Sequence, residues 1–328
     1  MLRLFVRSND HLEVAACDLA GIPARPEGAA WYDLLKPTPE EERFVGESLG
    51  IDIPTREEMQ DIEPSARLYK EAGAEFMTIT AMTRLDTDEP VKTPVTFVLR
   101  DNILITVRYA DPKPFKLYAM RAAKPGGIIL AGGEAVMIGL LEAFIDRLAH
   151  VLENASDEID VISHEVFRTR AGEKQRPQDL QSVIESIGRK GELLTMARES
   201  LLSIIRLTSF HQVGGEGKKA TAAFRQEVKT LQRDATALAD HAAYLSSKVN
   251  FLLDATLGLI NLEQNQIIKI FTVASVAFLP PTLVASIYGM NFNSMPELHW
   301  DFGYPLAIMI MIFSAILPFA YFKRRGWL

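Results

Sequence analysis

Asn291, Glu297 and Asp301 stand on a short connector, Asn291 to Gly303, that holds no Lys or Arg. An amide oxygen and two carboxylates shown together without a cation attract positive ions, and the chemistry open to them is coordination rather than bond making. The other reading of Asn291, taken alone, is a helix C-terminal cap. Catalytic chemistry is poorly supplied. His11, His150, His164, His211, His241 and His299 show no His-x-x-x-His pair or other ligand spacing and read as surface residues. The single cysteine, Cys17, can form neither an intrachain disulfide nor a cysteine cage for zinc. The nearest approach to a phosphate loop, Gly214-Gly215-Glu216-Gly217-Lys218-Lys219, has the wrong glycine spacing and no hydroxyl. Neither an enzyme nor an organic cofactor is expected.

The connector is bounded by two runs of 19 residues without a charge, Ile270 to Tyr288 and Tyr304 to Phe322. As helices each spans roughly 28 Å, close to the ~30 Å hydrocarbon core of a bilayer. Pro280 and Pro281 fall inside the first run, and two missing backbone donors should kink that helix and free carbonyls that need neighbours or water. Lys323, Arg324 and Arg325 follow the second run directly, so both termini are expected in the cytoplasm and the connector outside. The start of the chain is too soon interrupted by Arg3, Arg7 and Asp10 to read as a secretory signal. Acidic residues outnumber basic ones 42 to 35, which disfavours nucleic acid as a partner and leaves cations open.

Ahead of the first run, Phe224, Val228, Leu231, Ala235, Leu238, Ala242, Leu245, Val249, Leu252, Thr256 and Leu259 repeat at alternating steps of four and three. That heptad seam predicts a stalk helix from about Lys218 to Tyr288, with an ordinary helical bundle as the alternative. Glu134 to Arg170 and Pro177 to Gln212 also read as helices, broken at Gly172 to Pro177 and at Val213 to Gly217. Residues 1 to about 125 differ. Phe76 to Met82, Val95 to Leu99 and Ile103 to Val107 are strand-like, Arg100-Asp101-Asn102 is a turn signal, and Thr38 to Leu49 is helical. The expected organisation is an α/β (α+β) cytoplasmic domain over 1–125, a helical layer with the stalk over 126–266, and a membrane domain over 267–328. Within the last, spans are expected at about 268–288 and 304–322, with an external loop at 289–303 and a cytoplasmic tail at 323–328.

Tyr288-Gly289-Met290-Asn291-Phe292, then Met295-Pro296-Glu297-Leu298 and Phe302-Gly303-Tyr304-Pro305, between two C-terminal spans and ahead of Tyr321 to Leu328, resembles the CorA magnesium/cobalt transporter family. Trp31-Tyr32-Asp33-Leu34, Thr55-Arg56-Glu57-Glu58, Asp61-Ile62-Glu63, Ser65-Ala66-Arg67 and Asn261-Leu262-Glu263-Gln264-Asn265 are similar to the bacterial branch as well. The resemblance implies a homopentameric funnel in a bacterial inner (plasma) membrane, five first spans lining one pore, and a ring of Gly289-Met290-Asn291 motifs as the outer site for Mg2+. A neutral amide suits that ion independently: Mg2+ surrenders its water shell reluctantly, and a carboxylate ring would hold it too tightly to release. Gly289 would let the backbone leave the helix there.

Following the helical period inward from Asn291 gives Ser286, Thr282, Leu279, Ser275, Thr272, Ile268 and Asn265, with Phe271 adjacent. Hydroxyls at Thr282 and Ser275 can stabilise a hydrated ion, while Leu279, Ile268 and Phe271 can form an apolar gate that closes by dewetting. For each apolar position, packing against helices or lipid is the other reading. The resemblance supports Asn265, Ile268, Phe271, Leu279, Thr282 and Asn291 as pore-lining; members of the family often carry Met or Leu where Ile268 and Phe271 stand. Asp254 is either a carboxylate at the cytoplasmic mouth or a solvated stalk residue. Glu297 would face incoming ions from the external loop. The family is closed by cytoplasmic Mg2+ held by carboxylates between subunits, for which Asp86, Asp88, Glu89, Asp234 and Asp240 are the available groups. The same architecture could serve Co2+, Ni2+ or Zn2+.

Overall fold

The computed structural model describes residues 1–8, 11–15, 26–61, 63–87, 89–124, 132–167, 177–214, 222–291, 295 and 300–327. Two compact units emerge, Met1–Gly172 with Ser182–Leu252, and Glu173–Gln181 with Leu253–Leu328.

The first unit is built on seven strands: β1 (Leu2–Ser8), β2 (His11–Ala15), β3 (Ala29–Leu35), β4 (Leu68–Glu71), β5 (Ala74–Thr83), β6 (Val91–Arg100) and β7 (Ile103–Arg108). They form one mixed sheet in the order β2-β1-β3-β7-β6-β5-β4, antiparallel throughout except where β3 runs parallel to β7. The β6–β7 hairpin turns on Asp101 and Asn102, with φ of 48° and 65°. Both sit in the left-handed region that a two-residue turn of this hand demands, and Asp and Asn are among the side chains that tolerate it.

Alternation along the strands sends residues to two cores. Tyr32, Leu34, Ile105 and Val107 share one face with Val45 and Leu49 of helix α1 (Pro39–Leu49). A capping box between Thr38 and Glu41 starts that helix, and Gly50 at φ 62° ends it. Two short helices follow, α2 (Arg56–Met59) and α3 (Pro64–Arg67); α2 opens on a second capping box, between Thr55 and Glu58. On the other face Trp31 stacks on Phe5 and lies beside Phe115 and Tyr118 of α4 (Lys113–Ala122), while Phe115 meets Phe144 of α5 (Gly133–Phe167) edge-on. Within this core Asp33 and Arg108, each only 1% exposed, form a two-point ion pair at 2.9 and 2.8 Å, and the Thr106 hydroxyl relays a bond from the Trp31 indole to Asp33. The residues of the Trp31-Tyr32-Asp33-Leu34 motif therefore serve the core.

Helix α6 (Pro177–Gly214) and helix α7 (Ala222–Tyr288) follow. At 67 residues α7 is about 100 Å long. Its seam is buried at Val228, Leu231, Ala235, Ala242, Leu245, Val249, Leu252 and Thr256; Phe224, Leu238 and Leu259 are half-buried, and Ala239 takes the buried place beside Leu238. His211 corrects the reading of the histidines as surface residues. It is 9% exposed and sits between Glu75 of β5 at 2.7 Å and Glu134 of α5 at 2.9 Å.

Candidate functional site

Among the described residues, the C-terminal part of α7 and helix α8 (Gly303–Arg324) are the two segments long and apolar enough to cross a membrane. Helix α7 runs on through Pro280 and Pro281 without a break. Those prolines cannot bond to the carbonyls of Val276 and Ala277, four residues earlier, so two acceptors in an apolar segment are left for water or a neighbouring chain.

The sides of this helix are unequal. Val273 is buried, and Ala277, Pro280, Pro281, Val284 and Tyr288 continue its stripe as half-buried positions. Ser275, Leu279, Thr282 and Ser286 lie two residues from members of that stripe, hence about 200° around the helix, and all four are exposed. Asn265, Ile268 and Phe271 are exposed further back on the helix. Leu279 and Phe271 are 67% and 68% exposed, a large apolar surface to leave uncovered on one chain. The Thr282 hydroxyl donates to the Phe278 carbonyl at 2.7 Å, and Thr272 to Ile268 in the same way. With its hydrogen committed to the backbone, such a hydroxyl offers lone pairs outward. Acceptors are what the outward-pointing hydrogens of a hydrated cation need.

At the end of α7 the Gly289 N–H still bonds to Ala285 at 2.9 Å, and Met290 tightens to Ile287 at 3.2 Å before the exposed Asn291. Gly289 does not have a positive φ, so left-handed freedom is not why glycine stands there. A Cβ on Gly289 would lie 3.1 Å from the Ala285 carbonyl, a tight approach that a shift of a few tenths of an ångström would relieve. Beyond it, Met295 is half-buried, and Trp300 contacts Phe302 edge-on at 6.3 Å before α8 begins. Glu297 lies outside the described residues, as does Asp88.

The remaining acidic positions are scattered. Asp86 is held by Lys113 and, at 2.9 Å, by Arg147. The hydrogen bond from Lys113, then the charges of Lys113 and Arg147, keep its carboxyl below the usual range. Glu89 is exposed, Asp234 lies 3.4 Å from Arg233, and Asp240 and Asp254 are exposed on α7. Among the described residues no group of three or more His, Cys, Asp or Glu is arranged to hold a metal ion within one chain. Sequence reasoning missed Lys269, whose ammonium lies 6.0 Å from the ring of Trp327. A lone lysine one residue ahead of an uncharged run was the available signal.

A model of the CorA-like Mg2+ transporter protein family matches residues 26–324. The magnesium transport protein CorA of Salmonella typhimurium is 36% identical over 301 residues, covering 92% of each chain, and that of Escherichia coli K12 matches to the same extent. Among solved structures, the complete CorA magnesium transporter of Methanocaldococcus jannaschii aligns with 100% of this chain and 99% of its own, at a TM-score of 0.76 and 20% identity. At that identity the likeness is one of fold.

Proposed function

This chain belongs to the CorA-like Mg2+ transporter family, a family of ion transporters and not of enzymes, and from that premise we propose that it is one subunit of a homopentameric Mg2+ channel in a bacterial inner membrane. The observation that carries the reading is the exposed face of α7, where Ser286, Thr282 and Ser275 alternate with Leu279, backed by a stripe that its own chain covers. Two spans cannot enclose a pore, and in this reading that face lines a pathway shared with other copies. In this proposal the Gly289-Met290-Asn291 ring receives the hydrated ion outside and Glu297 draws it in. The hydroxyls of Thr282, Ser275 and Ser286 accept from its water shell. Leu279, Phe271 and Ile268 form the apolar gate, with Asn265 and Asp254 towards the cytoplasmic mouth.

Both termini are cytoplasmic in this account, since Lys323, Arg324 and Arg325 close α8 while the connector carries no cation. A divalent ion then enters down an inside-negative potential and gains about 4.6 kcal/mol per 100 mV. No ATP is needed. Cytoplasmic Mg2+ closes the channel by bridging carboxylates of neighbouring subunits, drawn from Asp86, Asp88, Glu89, Asp234 and Asp240. For Asp86 the ion must compete with Lys113 and Arg147. The second reading, transport of Co2+, Ni2+ or Zn2+, is tested with the first. Proteoliposomes holding the purified protein should take up Mg2+ in proportion to an imposed potential, with excess Co2+ or Ni2+ competing weakly. Flux indifferent to potential counts against the channel, and Mg2+ outcompeted by a transition ion favours the alternative.

A further inference from the structure

Four cations gather at one end of the membrane unit. Lys269 on α7 and Lys323, Arg324 and Arg325 at the close of α8 are all exposed, and among the described residues none has a carboxylate partner. Unpaired charge at a helix end is commonly left to water. Here it is built around an aromatic platform. Helix α8 ends in a Schellman cap: Gly326 takes φ 71°, its N–H bonds to Lys323 at 3.2 Å, and the Trp327 N–H reaches back to Phe322 at 3.1 Å. The cap folds the Trp327 ring onto Phe322 at 5.1 Å, and the same ring lies 6.0 Å from the Lys269 ammonium. Tyr321, one turn back, carries Arg325 over its ring at 5.6 Å. Trp327 thus brings the Lys269 ammonium of α7 to the C-terminal end of α8, where the other three cations stand.

Tryptophan and tyrosine are suited to the level of lipid headgroups, with an apolar body and a polar edge, and clustered Lys and Arg beside a span meet the phosphates there. We infer that Lys269, Lys323, Arg324 and Arg325 with Trp327 and Tyr321 form a binding site for anionic phospholipid headgroups, in the leaflet that meets the C-terminal end of α8. The phosphodiester oxygens accept from the ammonium and guanidinium groups, and the first acyl carbons lie against the indole. Occupancy fastens α7 to α8 at the point where the stalk enters the bilayer. The site rests on the membrane-span reading but is read out without flux, so its failure and that of the channel are distinguishable.

The test uses the full-length protein in nanodiscs of phosphatidylcholine with a minority of phosphatidylglycerol, followed by native mass spectrometry of the lipid kept after detergent extraction. The wild type should retain phosphatidylglycerol in preference to phosphatidylcholine. At roughly fivefold for each cation near the surface, Lys269→Gln with Arg325→Gln should lower that preference about twenty-fivefold, while the exchange Lys269→Arg with Arg325→Lys should keep it. Equal retention of the two lipids by the wild type would overturn the site. So would an undiminished preference in the glutamine variant, loss in the charge-keeping exchange, or displacement of the lipid by inorganic phosphate alone.

Discussion

The Nδ1 atom of His211 lies 2.7 Å from a carboxylate oxygen of Glu75, tying the C-terminal part of α6 to the sheet, while its Nε2 holds Glu134 at the start of α5. Burial alone would push the imidazole below its usual value, but the hydrogen bonds to Glu134 and Glu75 and their charges raise it to about 9. Glu75 is held low: burial opposes its ionisation, and the bonds from His211 and Lys70 outweigh it.

A raised histidine contributes stability that is complete below its unfolded value of 6.5 and fades as pH climbs through about 9. The thermal midpoint of the purified protein should therefore fall between about pH 6.5 and pH 9, where the folded state holds a proton that the unfolded state has lost, on top of any general alkaline loss. His211→Ala should lose about 3 kcal/mol at neutral pH, because two carboxylates are left facing each other, and should lack that alkaline step. Thermal unfolding at stepped pH reads both. A His211→Ala curve parallel to the wild type would show that the clamp contributes nothing.

Gly133 opens α5 against the β6–β7 turn, its N–H bonded to Asn102 at 2.6 Å. A Cβ there would lie 2.2 Å from the Leu104 nitrogen and 2.5 Å from the Ile103 carbonyl carbon, both backbone atoms that cannot swing aside. Gly133→Ala should therefore cost about 2 kcal/mol or more by forcing helix and hairpin apart. Denaturant unfolding measures it, and an unchanged midpoint would mean that the approach is looser than the geometry gives.

Leu279 and Thr282 stand on one face of α7 and should differ in sign. Leu279→Asn removes an apolar ring from the proposed gate and should raise Mg2+ flux under conditions where the wild type is nearly closed. Thr282→Val keeps the shape but removes an acceptor for hydration water, at about 1 kcal/mol and so about fivefold in rate. Vesicle flux under a fixed potential compares the two. If both variants behave as wild type, the face points to lipid or to a neighbouring helix.

The two long apolar helices were legible because an uncharged run of 19 residues has few alternatives, and the β6–β7 turn because Asp101 and Asn102 belong to the few residue types that accept positive φ. Sheet order was not. The parallel pairing of Trp31 with Leu104 joins strands some seventy residues apart, and no local pattern encodes it. His211 escaped for a related reason: its two partners come from β5 and α5, far away in sequence, so that a buried clamp and a solvated histidine look alike in a string of residues. At Leu238 the heptad pattern named the right helix and nearly the right face, and burial falls on the neighbouring Ala239 before returning to the seam at Ala242. The acidic residues offered for regulation could not be ranked, since carboxylates that share an ion between subunits carry no spacing within one chain. Gly289 was expected to free the backbone from the helix, but its φ is not positive, and the group nearest to a Cβ placed there is the Ala285 carbonyl.

In the proposed channel, Asn291 receives the hydrated ion as one member of a ring. The most direct test is Mg2+ uptake by proteoliposomes holding Asn291→Ala, with subunit mass measured in parallel to show that the assembly is intact. Loss of an amide acceptor for a charged, hydrated ligand should reduce uptake about tenfold or more at unchanged assembly. Wild-type uptake by an intact Asn291→Ala assembly would contradict the account.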